Sequence, residues 1–144
     1  MAEAAVRPEQ GGAAPLTALV PIIRVSDVER SAAFYRLLGF EIGNRVPRQG
    51  KPSWAWLYQP KAANWKTGAN LMIASGQRPP KPDAYELLIY LYAANLVEMR
   101  ESLIAAGVKV SEITYPDYLP KGEFSAEDPD GYCLMVAQSY TESP

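Results

Sequence analysis

The chain of 144 residues sets 14 Lys and Arg against 16 Asp and Glu, is 48% apolar, and has one cysteine, Cys133, and no histidine. That length and apolar content suit one globular domain with a real core, and the near-neutral charge lacks the basic footprint that a nucleic-acid backbone demands. A lone cysteine makes no internal disulfide, and without histidine there is no Ser-His or Cys-His nucleophilic pair and no His-rich metal site. The early residues contain no apolar h-region, so a cytoplasmic protein without a membrane partner is expected.

Residues 1–15 are Ala, Gly, Glu, Gln and Pro with almost nothing large and apolar, and read as a disordered leader. Residues 19–25, short and rich in β-branched side chains, predict a strand. Ser26 with Glu29 reads as a capping box, and Val28, Ala32, Tyr35 and Leu38 recur at helical spacing until Gly39. A strand over 40–46 follows. Pro47, Gly50, Pro52, Pro60 and Gly68 break the next stretch into loop, strand and loop, the strand being 53–58. Alternation there puts Trp54, Trp56 and Tyr58 on one face and Ala55 and Leu57 on the other. A strand over 69–75 leads into a stiff polar connector, 77–82. Residues 86–92 predict a strand, and Asn95 caps a helix whose buried stripe is Leu96, Met99, Leu103 and Ala106, ending at Gly107. Strands over 108–113, 122–126 and 132–138 complete the order, with a turn at Asp128-Pro129-Asp130-Gly131 whose carboxylates accept backbone N–H bonds. Residues 141–144 are a tail.

The two halves share this order of elements, and Asn70-Leu71-Met72-Ile73-Ala74 lines up with Cys133-Leu134-Met135-Val136-Ala137, as an internal duplication would produce. The segment Val25-Ser26-Asp27-Val28-Glu29-Arg30-Ser31-Ala32-Ala33-Phe34-Tyr35-Arg36-Leu37-Leu38-Gly39-Phe40, the helix exit Ala105-Ala106-Gly107-Val108 and Asp128-Pro129-Asp130-Gly131-Tyr132 together resemble the vicinal oxygen chelate superfamily. That superfamily holds glyoxalase I, the extradiol dioxygenases and the bleomycin resistance proteins, and the resemblance is closest to the bleomycin-resistance-like branch. It implies an α+β domain over 16–140, built from two tandem βαβββ modules, about 16–76 and 84–140, that form a cupped mixed sheet with helices on the convex face. It also implies a homodimer. Its metal-using members hold their ion at four places, which carry over onto Val20, Met72, Glu86 and Met135. One carboxylate beside a valine and two thioethers is no site for a divalent ion, so neither a metal nor a cofactor is expected.

With those four places turned inward, alternation brings Arg24, Asn70, Tyr90, Tyr92 and Cys133 to the same side, a few polar groups in an apolar wall, as in a ligand pocket. The candidate ligand-binding residues are Arg24, Trp54, Trp56, Tyr58, Met72, Glu86, Tyr90, Tyr92 and Met135, with no catalytic or metal residue among them. Arg24 and Glu86 either form a structural ion pair or face the ligand. Trp65 sits in a loop that could close over the cup, and Tyr115, Tyr118 and Phe124, clustered near a Pro-rich loop, either make a lid or pack that loop down. The leading expectation is a metal-free protein that sequesters an aromatic, amphipathic or cationic antibiotic-like molecule, an activity that requires no proton transfer and suits a chain without histidine. The alternatives are a lyase, isomerase or dioxygenase whose site has moved or uses Glu86 as general base with a tyrosine as acid, and an interaction module whose cup is filled by its own side chains.

Overall fold

The computed structural model describes residues 16, 18–65, 67–76 and 87–139. The expected leader, the 77–82 connector, Glu86 and the 141–144 tail lie outside the described residues. The first module runs β1 (Ile22–Val25), α1 (Val28–Arg36), β2 (Glu41–Val46), β3 (Trp54–Tyr58) and β4 (Asn70–Ser75). The second runs β5 (Leu88–Ala93), α2 (Leu96–Ala105), β6 (Glu123–Glu127) and β7 (Cys133–Gln138). Each forms a mixed sheet, ordered β1-β4-β3-β2 and β5-β7-β6, in which the first strand lies parallel to the last of its module. The α+β plan of two repeated modules is therefore present.

Segment 108–113 is not a regular strand. Val110 makes an isolated bridge to Ala126 and the Ser111 N–H donates to the Ser125 carbonyl at 2.9 Å, while Thr114, just past the segment, bridges Glu123. Between them the Ser111 hydroxyl, in place of a main-chain carbonyl, accepts the Ser125 N–H at 2.8 Å, so the ladder is interrupted by a side chain.

The cap of α1 also differs. Asp27 accepts the Arg30 N–H at 3.1 Å and is the N-cap, one residue later than the Ser26 expected from sequence. Ser26 is engaged elsewhere: its N–H and hydroxyl both donate to Asp130, at 3.1 and 2.7 Å. Asn95 caps α2 as expected, accepting from the Glu98 N–H. Of the two helical stripes, Val28, Ala32, Tyr35 and Leu38 are all buried, whereas Ala106 at the end of α2 is exposed because it already belongs to the cap.

Period-2 burial then sorts the strands. Ile23, Val25, Ala55, Leu57, Leu71 and Ile73 of the first sheet and Phe124, Ala126, Leu134 and Val136 of the second point into one continuous core shared with both helices. The 128–131 turn joins the modules. Asp128 accepts from the Tyr35 hydroxyl at 2.7 Å and from the N–H groups of Asp130 and Tyr132, while the Tyr132 hydroxyl donates to the Arg24 carbonyl. Burial pushes the Asp128 carboxyl above its usual range, against the opposing pull of those hydrogen bonds. Gly131 takes the positive φ of 92° that closes the turn. Among the described residues no helix is long and apolar enough to cross a membrane.

Candidate functional site

The residues opposite the core line the concave faces. On β3, the burial of Ala55 and Leu57 (0% and 1% exposed) forces Trp54, Trp56 and Tyr58 to the other side. The rings of Trp56 and Tyr58 stack with centroids 5.1 Å apart and 21° between planes, and Trp65 stands edge-on to Trp56 at 5.9 Å and 87°. One carboxamide organises this set. Asn70 accepts the Trp56 indole N–H at 2.6 Å and donates to the carbonyls of Trp65 and Gly68, tying the loop before β4 to the strand beneath it.

Gly43 has a separate role. The β2–β3 register shifts between Ile42 and Asn44, and a Cβ on Gly43 would come within 2.5 Å of the Trp56 ring. A missing side chain lets the indole lie down on β2.

These groups border an open cavity of about 380 Å³ lined by Val20, Asn44, Trp54, Trp56, Trp65 and Met72. On the far side of Trp65 a second hollow, of about 420 Å³, is lined by Gly43, Trp56, Tyr58 and Gln59 among others. A cup filled by its own side chains is not what this face presents, since small-molecule sites begin at about 300 Å³.

The remaining candidates divide between the sheets. Arg24 lies on the first sheet, opposite Ala74, with its guanidinium over Gly76, and does not line the cavity. Tyr90, Tyr92 and Met135 lie on the second sheet. There Tyr90 pairs with Met135 in register, the rings of Tyr90 and Tyr92 stack at 6.1 Å and 26°, and both tyrosines border a crevice of about 260 Å³ that also meets Gln59 and Ala69 of the first module. Among the described residues, the hollows lined by Trp54, Trp56 and Trp65 do not include Tyr90 or Tyr92, although Gln59 borders both the second hollow and the tyrosine crevice.

Strand register corrects one position. Met72 pairs with Ile22, two residues after Val20, and Met135 pairs with Tyr90, two residues after Leu88. The counterpart of Val20 is therefore Leu88, not Glu86. The four places that the resemblance assigns to a chelate hold Val20, Met72, Leu88 and Met135, two hydrocarbons and two thioethers, and these do not fit a divalent metal.

Residues that sequence reasoning missed are Asn44 and Glu123. Glu123 alternates with the buried Phe124 and so faces the concave side, where it is 4% exposed. It accepts from the Tyr90 hydroxyl at 2.7 Å and the Tyr118 hydroxyl at 2.9 Å, and these hydrogen bonds are the main reason that both phenols sit above their usual range. The alternation of β6 was the available signal. Tyr118, largely exposed, is tied to its own module by its bond to Glu123.

Comparisons with known proteins agree with this architecture. The family model described as "Glyoxalase/Bleomycin resistance protein/Dioxygenase superfamily" matches residues 16–136. Among solved structures, TnmS3, an antibiotic binding protein from a Streptomyces species, is similar with a TM-score of 0.69 at 20% identity, over 90% of this chain and 100% of that one. A bleomycin resistance determinant encoded on the transposon Tn5 gives 0.65 at 20% identity, over 84% and 96%. A bleomycin-binding protein complexed with bleomycin gives 0.64 at 21% identity, over 85% and 98%. No curated protein matches by sequence. The duplicated module, its concave aromatic faces and the match over 16–136 lead to one assignment: the chain belongs to the glyoxalase/bleomycin resistance protein/dioxygenase superfamily.

Proposed function

We propose that this protein is a metal-free binder that sequesters a planar aromatic, antibiotic-like molecule in the cytoplasm. The observation that carries the reading is the cavity of about 380 Å³ walled by Trp54, Trp56 and Trp65 and floored by Val20 and Met72, where the family's chelate would otherwise stand. Flat aromatic walls around a hydrocarbon and thioether floor hold a flat guest by stacking and dispersion, with nothing present to activate it. The antibiotic-binding and bleomycin-bound proteins of the same fold support this use of the cup. Trp54, Trp56, Tyr58 and Met72 form one wall in this proposal, and Tyr90, Tyr92 and Met135 form the other.

In this proposal the working unit is a homodimer in which the tryptophan face of one protomer closes against the tyrosine face of its partner, since the tryptophan cavity and the tyrosine crevice have different linings among the described residues. The test is tryptophan fluorescence and calorimetry against bleomycin and a panel of aromatic and glycopeptide antibiotics. Saturable quenching with one guest per protomer is expected. If no member of the panel binds and producing cells gain no resistance, sequestration is wrong.

A further inference from the structure

The second module's concave face holds a buried carboxylate for which the described residues show no ion pair. Glu123 is 4% exposed, and none of the ion pairs among the described residues includes it. It stands opposite Ala137 on β7, whose small side chain leaves room for Tyr90 of β5 to reach across and donate to Oε1, while Tyr118 donates to Oε2. A carboxylate out of water is stable only where hydrogen bonds or an opposite charge compensate it, and here two phenols supply the hydrogen bonds.

That arrangement has a consequence for a guest. A phenol has one proton to give and two lone pairs to receive with. Both protons are committed to Glu123, so the oxygens of Tyr90 (38% exposed) and Tyr118 (69% exposed) can offer a guest acceptance alone, with a negative charge behind them. The Tyr92 ring, stacked on Tyr90, adds an aromatic face beside them, where a cation is favoured over a neutral group.

We propose that Glu123 is a positioning residue that turns Tyr90 and Tyr118 into a paired acceptor for an N–H-bearing cationic group, such as an ammonium, amidinium or guanidinium, on the bound molecule. The proposal rests on the binding-cup reading above and adds the charge class of the guest.

Two planar probes of nearly the same shape, the naphthamidinium cation and neutral naphthamide, separate the two ideas. By calorimetry the wild-type chain is expected to prefer the cation by about tenfold, a cation held between an acceptor pair and an aromatic face. Glu123→Gln keeps the size and removes the charge, and is expected to bring that ratio to about one; a thermal melt of each variant checks that it is folded. Should Glu123→Gln not fold, Tyr118→Phe, at an exposed residue, decides the matter: losing one of two acceptors is expected to lower the ratio about threefold. Equal binding of both probes by the wild-type chain overturns the cation proposal and leaves the cup standing. So does a ratio that persists in folded Glu123→Gln, or in Tyr118→Phe when it is the deciding variant. Binding of neither probe by the wild-type chain overturns the cation proposal, and the cup reading falls with it only if the antibiotic panel also fails to bind.

Discussion

The concave faces of the two modules are built on matching strands and do different chemistry. β4 and β7 each carry a central methionine, Met72 or Met135, and each buries alternate aliphatics, Leu71 and Ile73 or Leu134 and Val136. On the first face the organising polar group is a neutral amide, Asn70, which fixes an indole and a loop. On the second it is a carboxylate, Glu123, which fixes two phenols. The core side of a repeated strand is held to aliphatic residues by packing, because a change of one methylene there is felt throughout the interior. The concave side carries no such constraint, so the two copies diverged into a flat aromatic wall and a charged hydrogen-bonding wall.

Substitutions can dismantle this contrast in graded steps. The largest effect is expected at the clasp that holds both faces in one body. Asp128→Ala strips the Tyr35 hydroxyl and two main-chain N–H groups of their buried acceptor, and urea unfolding should show a loss of about 3 kcal/mol. If the two faces are one cooperative unit, tryptophan fluorescence from the first module and tyrosine signals from the second will shift together in that variant. Next comes Trp56→Ala, which removes the centre of the aromatic wall. Affinity for a bound aromatic guest should fall about thirtyfold by calorimetry, as for a buried tryptophan anchor, worth about 2 kcal/mol. Gly43→Ala is a subtler version of the same test, since it changes no lining chemistry and only lifts the indole. Overpacking should cost about 1 kcal/mol in stability and about fivefold in affinity, with an altered near-ultraviolet dichroism of Trp56.

The smallest expected effect is a pH dependence. Burial makes the folded chain hold the Asp128 proton more tightly than an ordinary aspartate does, so Asp128's own contribution to stability is full below the ordinary aspartate range and lost as pH rises through the raised folded value. The difference in unfolding free energy between wild type and Asp128→Asn should accordingly fall as pH is raised from below that range toward neutrality. A difference that rises over that window would show that the hydrogen bonds, and not burial, dominate the turn.

How much of this was legible in the sequence follows the range of the forces involved. The α1 stripe was readable because Val28, Ala32, Tyr35 and Leu38 obey a local period, and the Trp54, Trp56 and Tyr58 face because Ala55 and Leu57 alternate with it. The N-cap was misplaced by one residue because Ser26 is claimed by Asp130, a partner 104 positions away that no local pattern reveals. The 108–113 strand failed for a comparable reason, a Ser111 hydroxyl taking a ladder bond. Leu88, and not Glu86, matches Val20 because each lies seven positions before its helix cap, Asn95 or Asp27, and the Asp27 cap is itself hidden behind the engagement of Ser26. Glu123 was hidden by its short strand next to a glycine and a proline-rich loop, although its alternation with Phe124 already turned it to the open face.

Asn70 has a further implication for selectivity. Because its carbonyl already takes the Trp56 N–H, that indole meets a guest with its π-face alone, and the first wall sorts molecules by flatness and thickness more than by hydrogen-bond pattern. Apolar walls reject an added hydroxyl only weakly. In the proposed binder a guest decorated at its rim would therefore still be admitted, and the cup would be evaded only when the ring system itself changes shape.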